Sequence, residues 1–428
     1  MNKIPFGEFL AKFFPVFSQF LEEYNNNKKR PEYLFKKMLT NRFSVTQTWE
    51  SGIIRNSIVA ADVVSMNSNL PLKKRDSITT ATGNLPKLGM KMKLKENEIN
   101  DLNLLKARGG MGTIITQRLL SDPVKCANGV DERLEFLFLQ GISNGMAVVA
   151  DDYNTGVGVR VDFGYRSENK FGAARSWSDS INATPITDIN NVLTEAANNG
   201  DTITALMMAK EAFDNLRKCQ EAREWFASAQ GMPVVVGSKL PVPTENAMKN
   251  AFSNELGLTV IVVNRSVLIE KNGDQTPVRP FNRDKVVFLT DTNVGELVYG
   301  QLAEETSPSE AAMYTKANEY TLIKRWHMEE PFCEMTSSQA IALPVIQNAA
   351  SIYQLDVNEA ILVDDPTETE GDENINLFGG ENYQKSEVIA ALNDMGVRTS
   401  ANISDAKLKE KVNGLNEEQI ADLKNRLD

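Results

Sequence analysis

The sequence predicts an α+β fold organised around one long helix, and three observations carry that prediction. From Val130 onward the apolar residues Val130, Leu134, Leu137, Phe138, Ile142 and Met146 recur at helical spacing. The run then passes through Asp151-Asp152-Tyr153-Asn154-Thr155-Gly156 into Val157-Gly158-Val159-Arg160-Val161-Asp162-Phe163, which alternates with period two. Further on, the apolar runs Leu258 to Val263 and Lys285 to Leu289 follow capped helical segments, so residues 166–317 read as a compact mixed unit.

In chain order, Phe6, Phe9, Leu10, Phe13, Phe17, Phe20 and Leu21 fit one helical face. The charges beside them are mixed (Glu8, Lys12, Glu22, Glu23), so that face is expected to pack on protein; a membrane-lying helix would favour Lys and Arg. Asn25 to Arg30 is a polar break, and Phe43 to Val64 reads as extended chain, with a helical alternative left open. The stretch Leu70 to Lys95 is basic in an acidic protein: Lys73, Lys74, Arg75, Lys87, Lys91, Lys93 and Lys95 face only Asp76. Its middle, Ser77 to Pro86, has almost no bulky core residue, and Lys91-Met92-Lys93-Leu94-Lys95 alternates as a solvated strand does. A long two-stranded arm of this kind cannot bury itself and needs a surface to lie on, which its charge predicts to be acidic. A nucleic-acid ribbon competes, but it would want interleaved aromatics.

Asp122-Pro123 is a helix-start dipeptide, so the central helix is expected to begin there. Gly141 and Gly145 interrupt it at about 1 kcal/mol each relative to Ala, and lie four apart on one face. Either a neighbour approaches the backbone there or the helix is merely weakened. Thr187 to Asn198 reads as a helix behind a Thr-Asp cap, Thr202 to Met208 as an apolar step, and Ala209 to Ala229 as one further helix. Thr244-Glu245 starts a helix that Gly257 stops. Asn272-Gly273-Asp274, with Pro277 and Pro280, marks a loop. Glu319 to Lys324 and Ala340 to Val345 are strands expected to return and pair with the ribbon after the central helix. From Glu359 to Glu373 seven carboxylates occur with no basic residue, a linker by composition. Lys385 to Met395, a helix capped by Ser404-Asp405 and a third from Asn416 form a terminal module around the extended loop Val397 to Ile403.

Bulk properties narrow the function. The 428 residues are enough for two or three structural units, and 42% hydrophobic content allows a sizeable core. A net charge of -11 argues against a general nucleic-acid binder. Cys126, Cys219 and Cys333 form no CxxC, so neither a disulfide framework nor a zinc site is expected. No apolar run reaches the length of a signal-peptide core or a membrane span, and a soluble chain with no membrane role is expected. His327, between Trp326 and Met328, is the single histidine and is read as structural. Any Ser-His-Asp or Cys-His catalyst would have to use it, with Cys333 the nearest thiol. Gly109-Gly110-Met111-Gly112-Thr113 lacks the spacing of a phosphate loop, and Asp151-Asp152 and Asp364-Asp365 lack that of a calcium loop. No catalytic, cofactor-binding or metal residue is expected.

The order of parts resembles the major capsid proteins of tailed bacteriophages, most closely the lambda-type major capsid protein E family, over about residues 30 to 357. The likeness lies in Asn25–Arg55, Met66–Lys93, Val124–Val149, Val157–Phe163, Ala173-Arg175-Ser176-Trp177 and Thr321-Leu322-Ile323-Lys324-Arg325-Trp326. It implies the tailed-phage capsid fold: an N-terminal arm (1–55), an extended loop (56–100), a peripheral domain with a long spine helix (101–165 and 318–357) and an axial domain (166–317). An acidic linker (358–378) and a small α-helical module (379–428), similar to helix–extended-loop–helix modules of the SAP and LEM kind, are additions. The resemblance implies a protein that self-assembles through hexamers and pentamers into an icosahedral shell around phage DNA. Lys73, Lys74, Arg75, Lys87, Lys91 and Lys93 are then expected at inter-subunit contacts, and Gly141 and Gly145 at close packing of the spine. Scaffolding, portal and decoration proteins are implied partners, packaged DNA is touched only non-specifically, and the place is the virion capsid, made in the bacterial cytoplasm. An encapsulin-like compartment is a close variant; an enzyme using His327 is the alternative from another class.

Overall fold

The computed structural model describes residues 14–27, 32–53, 79–108, 112–149, 159–232, 240–271, 273–358, 374–377, 381–395, 397, 408–409, 411–412, 415 and 417–427. The chain forms two compact units, Met1–Ala360 and Ile361–Asp428. The larger opens with α1 (Phe17–Asn27), the short α2 (Leu34–Met38) and β1 (Leu39–Phe43). Phe17 and Leu21 are buried with Phe14, Ile99, Leu102, Leu120 and Val124, so this end of the expected apolar face packs on the protein's own body; Phe6, Phe9, Leu10 and Phe13 lie outside the described residues.

Next come β2 (Thr48–Ile53), β3 (Thr79–Asn84) and β4 (Lys87–Lys95). Here the structure corrects the free-standing hairpin: β3 pairs antiparallel with β2, and β4 pairs antiparallel along Cys333–Ile341. The reason is the strand's alternation. Leu88, Met92 and Leu94 are half-buried on one side while the lysines are exposed on the other, and one apolar face is enough to hold a strand in register on a sheet. Residues 54–78, with Lys73, Lys74 and Arg75, lie outside the described residues.

After α3 (Glu96–Ala107) runs the spine helix α4 (Gly112–Asn144). It starts well before the expected Asp122-Pro123 boundary, and Pro123 sits inside it. It also stops before the expected Val149. Gly145 takes φ +76°, a conformation cheap only for glycine, and β5 (Met146–Val149) turns away to pair with β6 (Val159–Asp162). The expected turn at Asp151–Gly156 lies outside the described residues.

There follow β7 (Lys170–Gly172), α5 (Pro185–Asn198), β8 (Ala205–Ala209), α6 (Lys210–Lys218), α7 (Gln220–Ala229), α8 (Glu245–Leu256) and β9 (Thr259–Val263). Helix α5 begins behind Thr184 with Pro185 at its first position, ahead of the expected Thr187 cap. The single helix expected over 209–229 is two, because Cys219 between α6 and α7 is extended (φ -62°, ψ 143°). The start and stop of α8 are as expected: Thr244 Oγ1 accepts from Ala247 N, and Gly257 is left-handed. The loop expected around Asn272 is a hairpin of β10 (Val267–Lys271) and β11 (Asp274–Val278), since buried Val267 and Ile269 anchor β10 to the core.

The unit closes with β12 (Lys285–Leu289), β13 (Gly295–Gly300), the one-turn α9 (Ala303–Thr306), β14 (Ala312–Lys316), β15 (Leu322–Met328), β16 (Cys333–Ile346) and β17 (Tyr353–Asp356). One sheet runs β7-β17-β12-β8-β9; the other runs β1-β13-β16-β15-β14, with β4 also on β16. The returning strands therefore do not pair with the β5–β6 ribbon, which is a sheet of its own. Sheet membership also crosses the expected boundaries: β13 and β14 join β15 and β16, whereas β17 joins the strands of the 166–317 region.

The smaller unit contains β18 (Asn374–Leu377), β19 (Glu381–Gln384), α10 (Lys385–Asp394) and α11 (Glu417–Leu427), around Leu377, Val388, Leu392, Leu408, Val412 and Leu423. This corrects two expectations. The acidic linker gives way to a strand at Asn374, and the module is not purely helical, because its hairpin contributes Leu377 to the core.

Candidate assembly surfaces and the spine helix

Three carboxylates on α4 hold the segment that precedes β1. Glu135 accepts from Leu34 N (3.1 Å) and Phe35 N (3.0 Å), the first donors of α2, whose own N-cap residue Tyr33 offers no capping side chain. Glu132 accepts from Tyr33 Oη at 3.1 Å and from Arg265 at 2.9 Å. Asp131 accepts from Lys36 Nζ at 2.6 Å and from Tyr320 Oη at 2.9 Å. Burial pushes the carboxyls of Asp131 and Glu135 above their usual range, with Lys36 and Tyr320 opposing it at Asp131 and the Phe35 and Leu34 amides at Glu135. Immediately beyond, β1 adds parallel to β13. The strap from Tyr33 to Phe43 is thus fastened at both ends.

The spine makes close approaches at glycines. A Cβ on Gly141 would stand 2.7 Å from Phe163, and one on Gly145 would stand 2.7 Å from Tyr165. Gly145 is not within the helix, so the two do not form the single helical face the sequence suggested. Gly129, which sequence reasoning passed over, lies against Met90 of β4.

Pro123 is tolerated mid-helix because a distant side chain completes it. Proline cannot donate to the carbonyl four residues back, Leu119 O. That oxygen accepts instead from Arg325 Nη1 of β15 at 3.1 Å. Arg325 is also ion-paired with Glu334 of β16, Nε to Oε2 at 2.7 Å, both side chains being fully buried. Burial pushes Glu334 above its usual range, and Arg325 beside it opposes the shift.

The predicted contact residues divide. Lys87, Lys91 and Lys93 stand on β4 with exposed side chains. None of the three has an ion-pair partner among the described residues. Directly opposed residues of an antiparallel pair share a face. By that register Lys91, Ser337 and Lys324 lie on one side of the sheet, as do Lys93, Met335 and Trp326. The helices α1 and α4 pack on the other side, through Met92, Leu94 and Ile323.

His327 opposes Glu334 and meets the Phe332 ring edge-on at 4.5 Å. Cys333 opposes Met328, so it is out of register with His327. Cys126 and Cys219 are buried, which raises their thiols to about 12 and about 11 and disfavours the thiolate a nucleophile needs. Among the described residues no group of three or more His, Cys, Asp or Glu could hold a metal, and no helix is long and apolar enough to cross a membrane.

Against known proteins, the sequence matches the family described as phage major capsid protein E over residues 18–357. Among solved structures the chain is similar to a putative prophage capsid protein from E. coli CFT073, at 17% identity and TM-score 0.48 over 79% of this chain and 98% of that one. It is also similar to a virus-like particle protein from Pyrococcus furiosus, at 14% identity and TM-score 0.38, covering 80% and 99%. A search of curated proteins gives no match. The family match spans the whole of both sheets and the spine helix, and on it the assignment rests: the chain belongs to the phage major capsid protein E family, whose members form shells.

Proposed function

We propose that this capsid protein closes into its shell through a fastened N-terminal strap and a lysine-bearing strand that contacts the next subunit. The observation that carries the reading is β4. Its exposed lysines have no ion-pair partner within the chain's described residues, while their strand is held rigidly by β16. Cations fixed on a sheet need little ordering on contact, so an acidic neighbour is steered to them and bound with little entropic loss. Lys73, Lys74 and Arg75 would extend the same contact. Gly141 and Gly145 would set the spine's packing.

The expected partition into arm, extended loop, peripheral and axial regions belongs to this reading, with sheet membership moving β13 and β14 to the peripheral side. Hexamers and pentamers are its building blocks. Scaffolding, portal and decoration proteins are its partners, DNA is enclosed without specific contact, and the shell is built in the bacterial cytoplasm. Burial at about 25 cal/mol per Å² lets many modest contacts sum to a tight shell while each stays reversible during growth.

The test is electron microscopy of the purified chain, alone and co-expressed with candidate scaffolds, beside its mass in solution. Closed particles or five- and six-membered rings are expected. A monomer under every condition would overturn the reading, and protein cargo in place of DNA would move it to an encapsulin-like compartment.

A further inference from the structure

We propose that the turn of the β15–β16 hairpin in one copy docks on the lysine-bearing face of the same sheet in a second copy. This deepens the reading above and rests on it. Along β4 successive lysines Lys91, Lys93 and Lys95 stand roughly 6.6 Å apart on one side, two strand residues per step. Across β16 the same side carries Lys324 and Trp326 of β15, with Lys324 Nζ lying 5.2 Å over the Trp326 ring. The carboxylates paired on this side are Glu304 with Lys324 and Glu305 with Lys316. Met335 and Cys333 are buried there yet belong to none of the unit's apolar clusters. The face is therefore cationic with an aromatic centre, and the chain's own core lies behind it.

The complementary surface is Met328-Glu329-Glu330-Pro331-Phe332, the end of the β15–β16 hairpin. Met328 is 36% exposed and Phe332 40%. Phe332 is pre-shaped by the edge contact with His327, so little freedom is lost on docking. Glu329 and Glu330 are exposed beside it. A turn of this length joins its own two strands and cannot fold back over Lys91 in the same chain. It can lie on the next chain's face, with carboxylates toward lysines and Phe332 toward Trp326. The lysines lie along the sheet face and the turn stands at its end, with Met328, opposite Cys333 and Lys95, at their border, so the contact is heterologous and repeats from copy to copy, as ring closure requires. A nucleic-acid backbone would satisfy the lysines but leave Met328 and Phe332 uncovered, which favours a second copy of this chain.

Two full-length variants, Lys93→Cys and Glu330→Cys, are mixed under assembly conditions and oxidised. The native cysteines are fully buried and do not compete. Mixed disulfide dimers are expected several-fold above those from Lys93→Cys mixed with Glu195→Cys, a position exposed on α5. In parallel, Lys91→Glu with Lys93→Glu is expected to lower particle yield at least tenfold, and adding Glu329→Lys with Glu330→Lys to restore it. Normal particles without cross-links above the control would overturn the docking and leave the shell reading intact. So would a charge reversal that the second reversal fails to restore, or one that reduces only retained nucleic acid. Wild-type chain that never assembles would overturn the shell reading and the docking with it.

Discussion

Replacing Arg325 with Met removes a side chain that serves two buried acceptors at once. Glu334 loses its cation in a site with no solvent exposure, and Leu119 O loses the donor that Pro123 cannot supply. Breaking a buried ion pair from one side costs roughly 3–5 kcal/mol. Orphaning a buried carbonyl costs about 1–3 kcal/mol more, part of it shared with the first loss. A fall of about 4 kcal/mol in the unfolding free energy of the larger unit is expected, read by urea denaturation followed at tryptophan fluorescence. Two companions separate the causes. Arg325→Met with Glu334→Leu should recover most of the loss, because an apolar pair of similar volume fills the site without a stranded charge. Pro123→Ala should help the Arg325→Met variant more than it helps the wild type, by about 1 kcal/mol, since only there does the restored amide meet an unpartnered Leu119 O. A cost below about 1 kcal/mol for Arg325→Met, or strict additivity with Pro123→Ala, would refute the staple.

Other expectations follow from the glycines and the clasp. Gly141→Ala should cost about 1–3 kcal/mol by denaturant unfolding, because its Cβ would press on the fully buried Phe163 ring. Gly129→Ala should be near neutral, since about 1 kcal/mol of helix propensity offsets the displacement of the flexible end of Met90. Glu135→Gln tests the clasp through pH. The Glu135 carboxyl is raised above 4.5 in the folded protein by burial, so the folded state holds that proton more tightly than the unfolded chain. Its contribution is full below pH 4.5 and declines as pH rises through the folded value. Relative to Glu135→Gln, the wild type should therefore lose stability as pH rises from 4.5 toward neutrality; an unchanged difference across that range would exclude the burial effect.

What the sequence revealed was local. Thr244 and Gly257 bound α8 as read because a cap and a left-handed stop are completed within four residues. The alternation of Lys91 to Lys95 showed a strand with one wet face. What it did not reveal was which strand would cover the other face, since β16 lies about 240 positions later and pairing register leaves no local mark. Asp131, Glu132 and Glu135 carried a signal that went unused: Glu135 stands between Leu134 and Phe136 in an apolar run, and a carboxylate there needs donors from elsewhere. The donors proved to be the amides of α2, about a hundred residues earlier.

Pro123 shows why such failures cluster where they do. As a local rule, a proline behind an aspartate starts a helix, because its missing donor is harmless only in the first turn. The rule holds unless some other group reaches the freed carbonyl, and Arg325 does so from β15. The same guanidinium is anchored by Glu334, on the strand that β4 also joins. The spine, the returning hairpin and the lysine strand are therefore completed by one another, and none of the three is locally self-sufficient. In a chain built this way each departure from a helix or strand rule marks a long-range contact. Pro123, the β4 lysines Lys91 and Lys93, without an ion pair among the described residues, and the exposed Phe332 differ only in where the completing group lies: for the first it is in the same chain, and for the other two the docking inference places it in the next.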